Sequence, residues 1–235
     1  MRKELTMIID KIKNLEPLTD SEKQDYIRYS ITTHSDNGKL ADFMSISTSC
    51  LDCTGCKKRH DNPDYICYTC YAIRELMRKK TLREKMHVNG LFYTHYTIKA
   101  VNVPLINASC FRFEALGEIE NTTQFINYCT IAAQNPHCYF VLWSKEYKTI
   151  AKAIQSGAHK PENMRIIASA YKVNPVNFIS VLKQYPFVDK IFCVFSKEYA
   201  KENNITIICG GKSCRDCMIC YDPENTTQVI NELKK

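Results

Sequence analysis

Nine of the 13 cysteines fall into two runs. The first is Cys50-x2-Cys53-x2-Cys56 followed by Cys67-x2-Cys70, and the second is Cys209-x4-Cys214-x2-Cys217-x2-Cys220. A two-residue gap lets successive thiolates turn toward one centre. Zinc sites usually pair two separated C-x2-C units. An uninterrupted C-x2-C-x2-C run is the ligand pattern of bacterial ferredoxins. Both triplets are of that second kind, so the spacing favours a [4Fe–4S] iron–sulfur cluster, with zinc as the alternative because spacing alone does not choose the metal. Each triplet needs a fourth ligand. Cys209 is the natural one for the second site and Cys67 or Cys70 for the first, and one shared site is an open alternative. His60 is the only histidine placed to substitute. The other four thiols, Cys110, Cys129, Cys138 and Cys193, lie in strand or helix patterns and read as small buried hydrophobes.

An odd cysteine count excludes complete disulfide pairing. Residues 1–13 have no apolar stretch of leader length, and no apolar run reaches 18 residues, so neither export nor a membrane span is expected. A cytoplasmic, reducing setting follows, in which cysteine clusters mean metal or catalysis before disulfides.

The elements that must hold these thiols alternate. Residues 1–35 read as helical, with Leu5, Ile8, Ile9, Ile12 and Leu15 on one stripe and a capping pattern at Thr19. A short strand at 42–49 leads into Cys50, residues 50–70 read as a loop, and helices follow at 70–80 and 81–98. From 107 onward strands at 108–114, 138–144, 164–170, 189–195 and 205–209 alternate with helices at 121–134, 145–156, 174–185 and 196–201. Apolar strands alternating with helices are the mark of parallel βαβ units. The expected fold is α/β, a partial (β/α) barrel-like parallel sheet of about six strands with an N-terminal helical segment and two cysteine-rich metal-binding loops. The expected division is a helical segment over 1–43 and one α/β domain over 44–235, with clusters at 50–70 and 209–220. Glu120-Asn-Thr-Thr-Gln recurs as Glu224-Asn-Thr-Thr-Gln, and each copy reads as a helix N-cap box.

Ligands of parallel sheets bind at the carboxyl ends of the strands. Cys50 follows the first strand and Cys209 ends the last expected one, so the two clusters should meet on one side of the sheet. The same rule selects Arg112, Glu114, Gly117 and Glu118 after one strand and Lys145 after the next as candidate catalytic or binding residues. Arg112 and Glu114 alternate with Phe111 and Phe113, so both should point away from those rings as a buried pair. Lys172, Ser196 and Lys197 also end strands, where solvated loop residues are the ordinary expectation.

The helix over 70–85 carries Arg74, Arg78, Lys79, Lys80, Arg83 and Lys85 against Glu75 and Glu84. It is a candidate contact for nucleic acid or a host protein, with neutralisation of the neighbouring thiolates as the alternative and the partner left open. A site of four thiolates and one divalent metal carries about −2, so two such sites would bring the formal +7 near +3 and make the basic excess unexceptional.

Cys67-Tyr-Thr-Cys70-Tyr-Ala before a basic helix, Arg112-Phe-Glu-Ala-Leu-Gly117-Glu118, Phe140-Val-Leu-Trp-Ser-Lys145 and Cys214-x2-Cys217-x2-Cys220-Tyr together resemble the phage "gene product eighty-eight" family over residues 44–222. That family is distantly similar to the radical S-adenosylmethionine barrels. The resemblance implies an iron–sulfur protein of phage or mobile-element type on a partial (β/α) barrel. Gly117-Glu118 would take the place of the Gly-Gly-Glu turn that holds the S-adenosylmethionine amino group. The chain departs from the radical-enzyme pattern in two places: no C-x3-C-x2-C run occurs, and Leu116 stands at the first glycine of the turn. The alternative expectation is a non-catalytic, zinc- or cluster-stabilised binding protein.

Overall fold

The computed structural model describes residues 2–34, 38–210 and 212–234. Helix α1, Arg2–Lys13, and helix α2, Asp20–Ser30, open the chain. Thr19 caps α2 with a full capping box, its side chain accepting from Glu22 N while Glu22 accepts from Thr19 N. The helical reading of residues 1–35 ends too late, because the β-branched pair Thr32–Thr33 forms strand β1. Met1 and Ser35, also in that reading, lie outside the described residues.

Strand β2 is Met44–Ile46. The first cysteine segment is not all loop: it contains helix α3, Thr54–His60, and a 3-10 turn, Ile66–Thr69. Helices α4, Tyr71–Arg78, and α5, Lys80–His95, lead to strand β3, Cys110–Phe113. Then come α6, Thr122–Ala133; β4, Tyr139–Ser144; α7, Tyr147–Gln155; β5, Met164–Val173; α8, Ser180–Gln184; β6, Lys190–Phe195; α9, Lys197–Glu202; α10, Cys214–Cys217; and β7, Val229–Leu233.

The strands form one seven-stranded sheet in the order β1-β2-β3-β4-β5-β6-β7. Only β1–β2 is antiparallel; every later pair is parallel. The sheet is open, with β1 and β7 as its edges, and has seven strands where about six were expected.

The sheet's two faces differ. On the first, Ile46, Phe111, Phe113, Phe140, Leu142, Ile166, Ala168, Ile191 and Cys193 alternate along their strands and pack against Ile8, Ile12, Tyr26, Ile27, Phe92, Phe125 and Ile150 from the helices. The N-terminal helices therefore share the core of the sheet. At ~1.5–3 kcal/mol per large apolar side chain, this layer is the main stabilising term. Cys129, Cys138 and Cys193 are buried, and burial pushes the first two thiols up to about 12 and the third to about 11. Cys110 is only half-buried. On the second face, Val141, Ile167 and Ile230 pack with Phe43 and Tyr221, joined by Trp143, Phe192, Cys209, Cys214, Met218 and Cys220.

Two expectations at the C-terminus are corrected. Residues 205–209 are not a strand: they lie along the β7 edge, where Ile208 N and Cys209 N both donate to Asn231 O, and only Cys209 bridges, to Glu232. The second Glu-Asn-Thr-Thr-Gln copy does not start a helix. Asn121 caps α6 by accepting from Gln124 N at 2.9 Å. Asn225 Oδ1 accepts instead from Thr227 N and from the buried Lys190 ammonium, and the following Val229 and Ile230 enter β7.

Candidate functional site

The first cysteine segment is built on the end of β2. Ser47, Thr48 and Ser49 are buried there, and Ser47 Oγ accepts from Ala115 N at 2.9 Å, tying the end of β2 to the turn after β3. Cys53 then caps α3, its sulfur accepting from Cys56 N at 3.4 Å. The thiols pair: Cys53 with Cys56, and Cys50 with Cys70. In each pair one sulfur is favoured as thiolate by the other's S–H, so Cys70 is held down to about 5 by the hydrogen bond from Cys50 and Cys53 is lowered by that from Cys56. Cys67 is half-buried on the 3-10 turn, and His60 is half-exposed beside Asp61, 6.5 Å ring to ring from Tyr68.

Beneath these thiols lies a buried cluster of acids around Arg59, a residue the sequence reading passed over. Arg59 is 7% exposed. Its Nη1 lies 2.5 Å from Glu146 Oε1, and its Nη2 lies 4.0 Å from Glu118 Oε2 and 3.9 Å from Cys56 Sγ. Burial opposes its charge, and Glu118 and Glu146 hold it up. Gly55 makes room for this pair: a β-carbon there would fall 2.5 Å from Glu146 Oε1 and 3.1 Å from Arg59 Nη2.

Glu118 accepts from Ile119 N and Ser144 Oγ on one oxygen and from Lys145 N on the other. It is 5% exposed, and burial raises its pKa against the pull of Lys145. Its carboxylate thus joins the end of β3 to the end of β4 and is occupied by the chain itself. Lys145 also accepts, through its carbonyl, from the Tyr171 hydroxyl at 2.6 Å, and its charge bears on Cys70.

Glu114 departs from the expected pairing with Arg112. Its φ of +56° breaks the strand's alternation and turns the side chain to the helix face. There Oε2 accepts from Thr48 N and Thr48 Oγ1, both at 3.0 Å, and Oε1 accepts from Gln124 Nε2 and the Tyr128 hydroxyl. Burial raises its pKa to about 7 in spite of these donors. Gly117 passes directly over this carboxylate: a β-carbon there would collide with Glu114 Oε2 and Thr48 Oγ1 and lie 2.6 Å from Thr48 O.

Arg112 stays on the second face. Its guanidinium lies 4.0 Å from the Trp143 ring centre, a desolvated cation–π arrangement. Burial opposes its charge, and Tyr221, Tyr71 and Cys214 are the neighbours that hold it up. Its Nε and the Tyr221 hydroxyl are both buried without a hydrogen-bond partner.

The second cysteine segment crosses this face, where its Cys214 and the Tyr71 beside Cys70 both bear on Arg112. Cys209 lies against the C-terminal end of β7, Cys214 N donates to Lys39 O, and by Asp222 the chain has reached the start of β5. Arg165 fastens it there, donating to the carbonyls of Cys220, Asp222 and Pro223. Lys190, 2% exposed, fastens the next stretch through Asn225 O, Asn225 Oδ1 and Thr227 O. Burial raises the Cys220 thiol to about 12, with Cys209, Cys214 and Cys217 adding to the rise. Cys214 is raised by burial and by Cys209 and Cys217, against the pull of Arg112 and Lys39. These four sulfurs therefore sit within one another's field, and as thiolates they require a cation among them; in donor chemistry the set fits a thiophilic metal. Among the described residues, no three Cys, His, Asp or Glu side chains are drawn into a metal-ligating arrangement.

Residues 10–234 match the family described as Gene product 88. The chain belongs to that family. The match runs from within α1 to β7, so both cysteine segments, the Arg59 cluster and Arg112 lie inside the Gene product 88 region. No curated protein and no solved structure matches the chain. Among the described residues of this Gene product 88 protein, no helix is long and apolar enough to cross a membrane.

Proposed function

We propose that this protein is a cysteine-ligated metal protein of phage or mobile-element type, with Cys209, Cys214, Cys217 and Cys220 as ligands of an iron–sulfur cluster. The observation that carries the reading is that Cys209, Cys214 and Cys220 pack on one sheet face beside the Arg112 guanidinium, with Cys217 close enough to raise the Cys220 thiol. A cluster bound by four thiolates is anionic, and a desolvated cation next to it offsets that charge. Cys50, Cys53, Cys56 and Cys70, with Cys67 at the rim, form the second ligand set.

The second reading is a non-catalytic protein in which zinc takes the same thiolates and only stabilises the fold. One observation favours it over chemistry on S-adenosylmethionine: three donors of the chain already occupy Glu118, the residue that would receive the cofactor's amino group. Anaerobic purification followed by iron, sulfide and zinc analysis and an absorption spectrum tests the choice. A brown protein with matched iron and sulfide, losing its colour in Cys214→Ser or Cys217→Ser, is the expected result. A colourless zinc protein overturns the iron–sulfur reading and leaves the structural one. Absence of both metals overturns both.

A further inference from the structure

We infer that the face formed by the 3-10 turn and α4 is a docking surface for single-stranded nucleic acid. On an α-helix residues three and four apart share a face. Tyr71, Arg74 and Arg78 follow one another at these spacings along α4 and share one face, and Tyr68 stands on the 3-10 turn just before it, across the extended backbone of Cys70. The opposite side of α4 is accounted for, since Ala72 and Leu76 are buried against Cys50 and Met86. The tyrosine–arginine side is not buried. Tyr68 is 52% exposed and Tyr71 is 53% exposed, and Arg74, Arg78, Lys79 and Lys80 are exposed beside them.

Three features separate this surface from an ordinary solvated charge run. The first is the Tyr71 ring, which is held rather than free. Its hydroxyl donates to Ala115 O while half of the residue remains open to solvent, so a flat aromatic surface is fixed in place before any ligand arrives. A base stacking on it would lose little side-chain freedom. The second is the charge balance. Residues 71–85 hold six basic and two acidic residues, in a chain whose whole excess is +7. Of the two acids, Glu75 is paired with Lys79 at 2.6 Å, and of the six bases only Lys85 turns inward, to Ile31 O and Thr32 Oγ1. The third is that the aromatic and basic groups interleave. Lys172 lies 5.8 Å from the centre of the Tyr65 ring before the turn, where it also pairs with Asp64 at 3.6 Å, and Arg74 follows Tyr71 on α4. Aromatic faces for bases, set between cations for phosphates, are the recognition pattern of single strands. In a duplex the bases are not free to stack on a side chain. An acidic polypeptide would use the cations but not the tyrosine faces.

The inference goes beyond the metal reading and does not require it, and metal content is measured on the same full-length sample so that the two stand or fall separately. The test is fluorescence anisotropy with a labelled oligothymidylate of about 20 nucleotides, a duplex of equal length and a poly-glutamate competitor, between about 50 and 200 mM salt. The expected result is single-strand binding stronger than duplex binding. Tyr68→Ala should weaken it by at least about fivefold with an unchanged circular dichroism spectrum. Tyr71→Phe should weaken it by only about two- to threefold, because the ring still stacks but loses its anchor on Ala115 O. Arg74→Ala/Arg78→Ala should make the log–log salt slope shallower by about 1.4, at roughly 0.7 per phosphate contact. No binding at the lowest salt overturns the inference. So does equal affinity for the duplex with Tyr68→Ala unaffected, and so does displacement by poly-glutamate at charge concentrations matching the oligonucleotide's.

Discussion

Arg59 and Glu146 form a buried ion pair, Nη1 to Oε1 at 2.5 Å, that anchors the first cysteine helix to the end of β4. The pair is asymmetric in exposure: the Arg59 side chain is 9% exposed and the Glu146 side chain 23%. Removing the cation leaves two carboxylates, Glu146 and Glu118, facing each other in a desolvated site. Arg59→Met should therefore cost about 3–5 kcal/mol, and Glu146→Gln only about 1 kcal/mol because that side chain can turn to water. Urea denaturation of the two variants checks the order, and equal losses would show that Arg59 acts through packing alone.

Glu114 gives the fold a pH signature. Its carboxyl titrates near 7 in the folded chain, against an ordinary value of 4.5, because burial penalises the ionised form. The folded state therefore binds more protons than the unfolded state between those two values. Stability from this group is greatest at the acid end of that window and declines as pH rises toward 7, by on the order of 2–3 kcal/mol. Glu114→Gln should flatten this component. The urea midpoints of wild type and variant, compared at pH about 5 and about 8, measure it. A variant whose pH dependence matches wild type would mean that Glu114 stays ionised throughout.

Gly117 should tolerate no side chain. A β-carbon would lie 2.6 Å from the Thr48 carbonyl, which is backbone and cannot swing aside. Gly117→Ala should cost about 2–3 kcal/mol, lowering the thermal midpoint by about 5–10 °C. Differential scanning calorimetry reads this directly, and an unchanged midpoint would show that the turn relaxes freely.

Arg165 should control access to the second thiol group. Its fork reaches three carbonyls, of Cys220, Asp222 and Pro223, and a lysine ammonium cannot span all three from one point. Arg165→Lys should speed the reaction of Cys220 with a thiol reagent by about tenfold or more, taking loss of roughly 1.5–3 kcal/mol of charged hydrogen bonding. Cys50, packed with Ala72, Leu76 and Met86 and not held by Arg165, should react as in wild type, and equal acceleration at both would point to general unfolding instead.

Much of the sheet is readable from residue pattern, because its strands are local apolar runs and its crossovers are single helices. Phe140-Val-Leu-Trp and Ile191-Phe-Cys-Val declare themselves this way, and Asn121 declares the start of α6. The misses share one physical cause: tertiary partners overrode local preference. Asn225 repeats the Asn121 motif but finds the Lys190 ammonium, so the segment extends into β7. Residues 205–209 have strand composition but line the outside of β7 with a single bridge. At the site, the two groups of thiols are visible from spacing alone. Their surroundings are not. Arg59 sits in a run of Lys57, Lys58 and Arg59 that reads as solvated, and nothing in the letters separates the buried third member from its two exposed neighbours. Glu114 would follow Arg112 to the same face if its backbone were extended, and a single positive φ reverses this.

The strictly consecutive strand order has a consequence in time. Each parallel strand docks on the one made just before it, so the sheet can grow from β2 toward β7 as the chain is synthesised, without waiting for a distant partner. The first thiols can gather early, whereas Cys209 to Cys220 acquire their floor only when β7 arrives to close the far edge. At ~5–20 residues per second, the roughly 160 residues between Cys70 and Val229 separate the two events by about 10–30 seconds. The two thiol groups therefore mature in sequence, and the later one is the last part of the molecule to become itself.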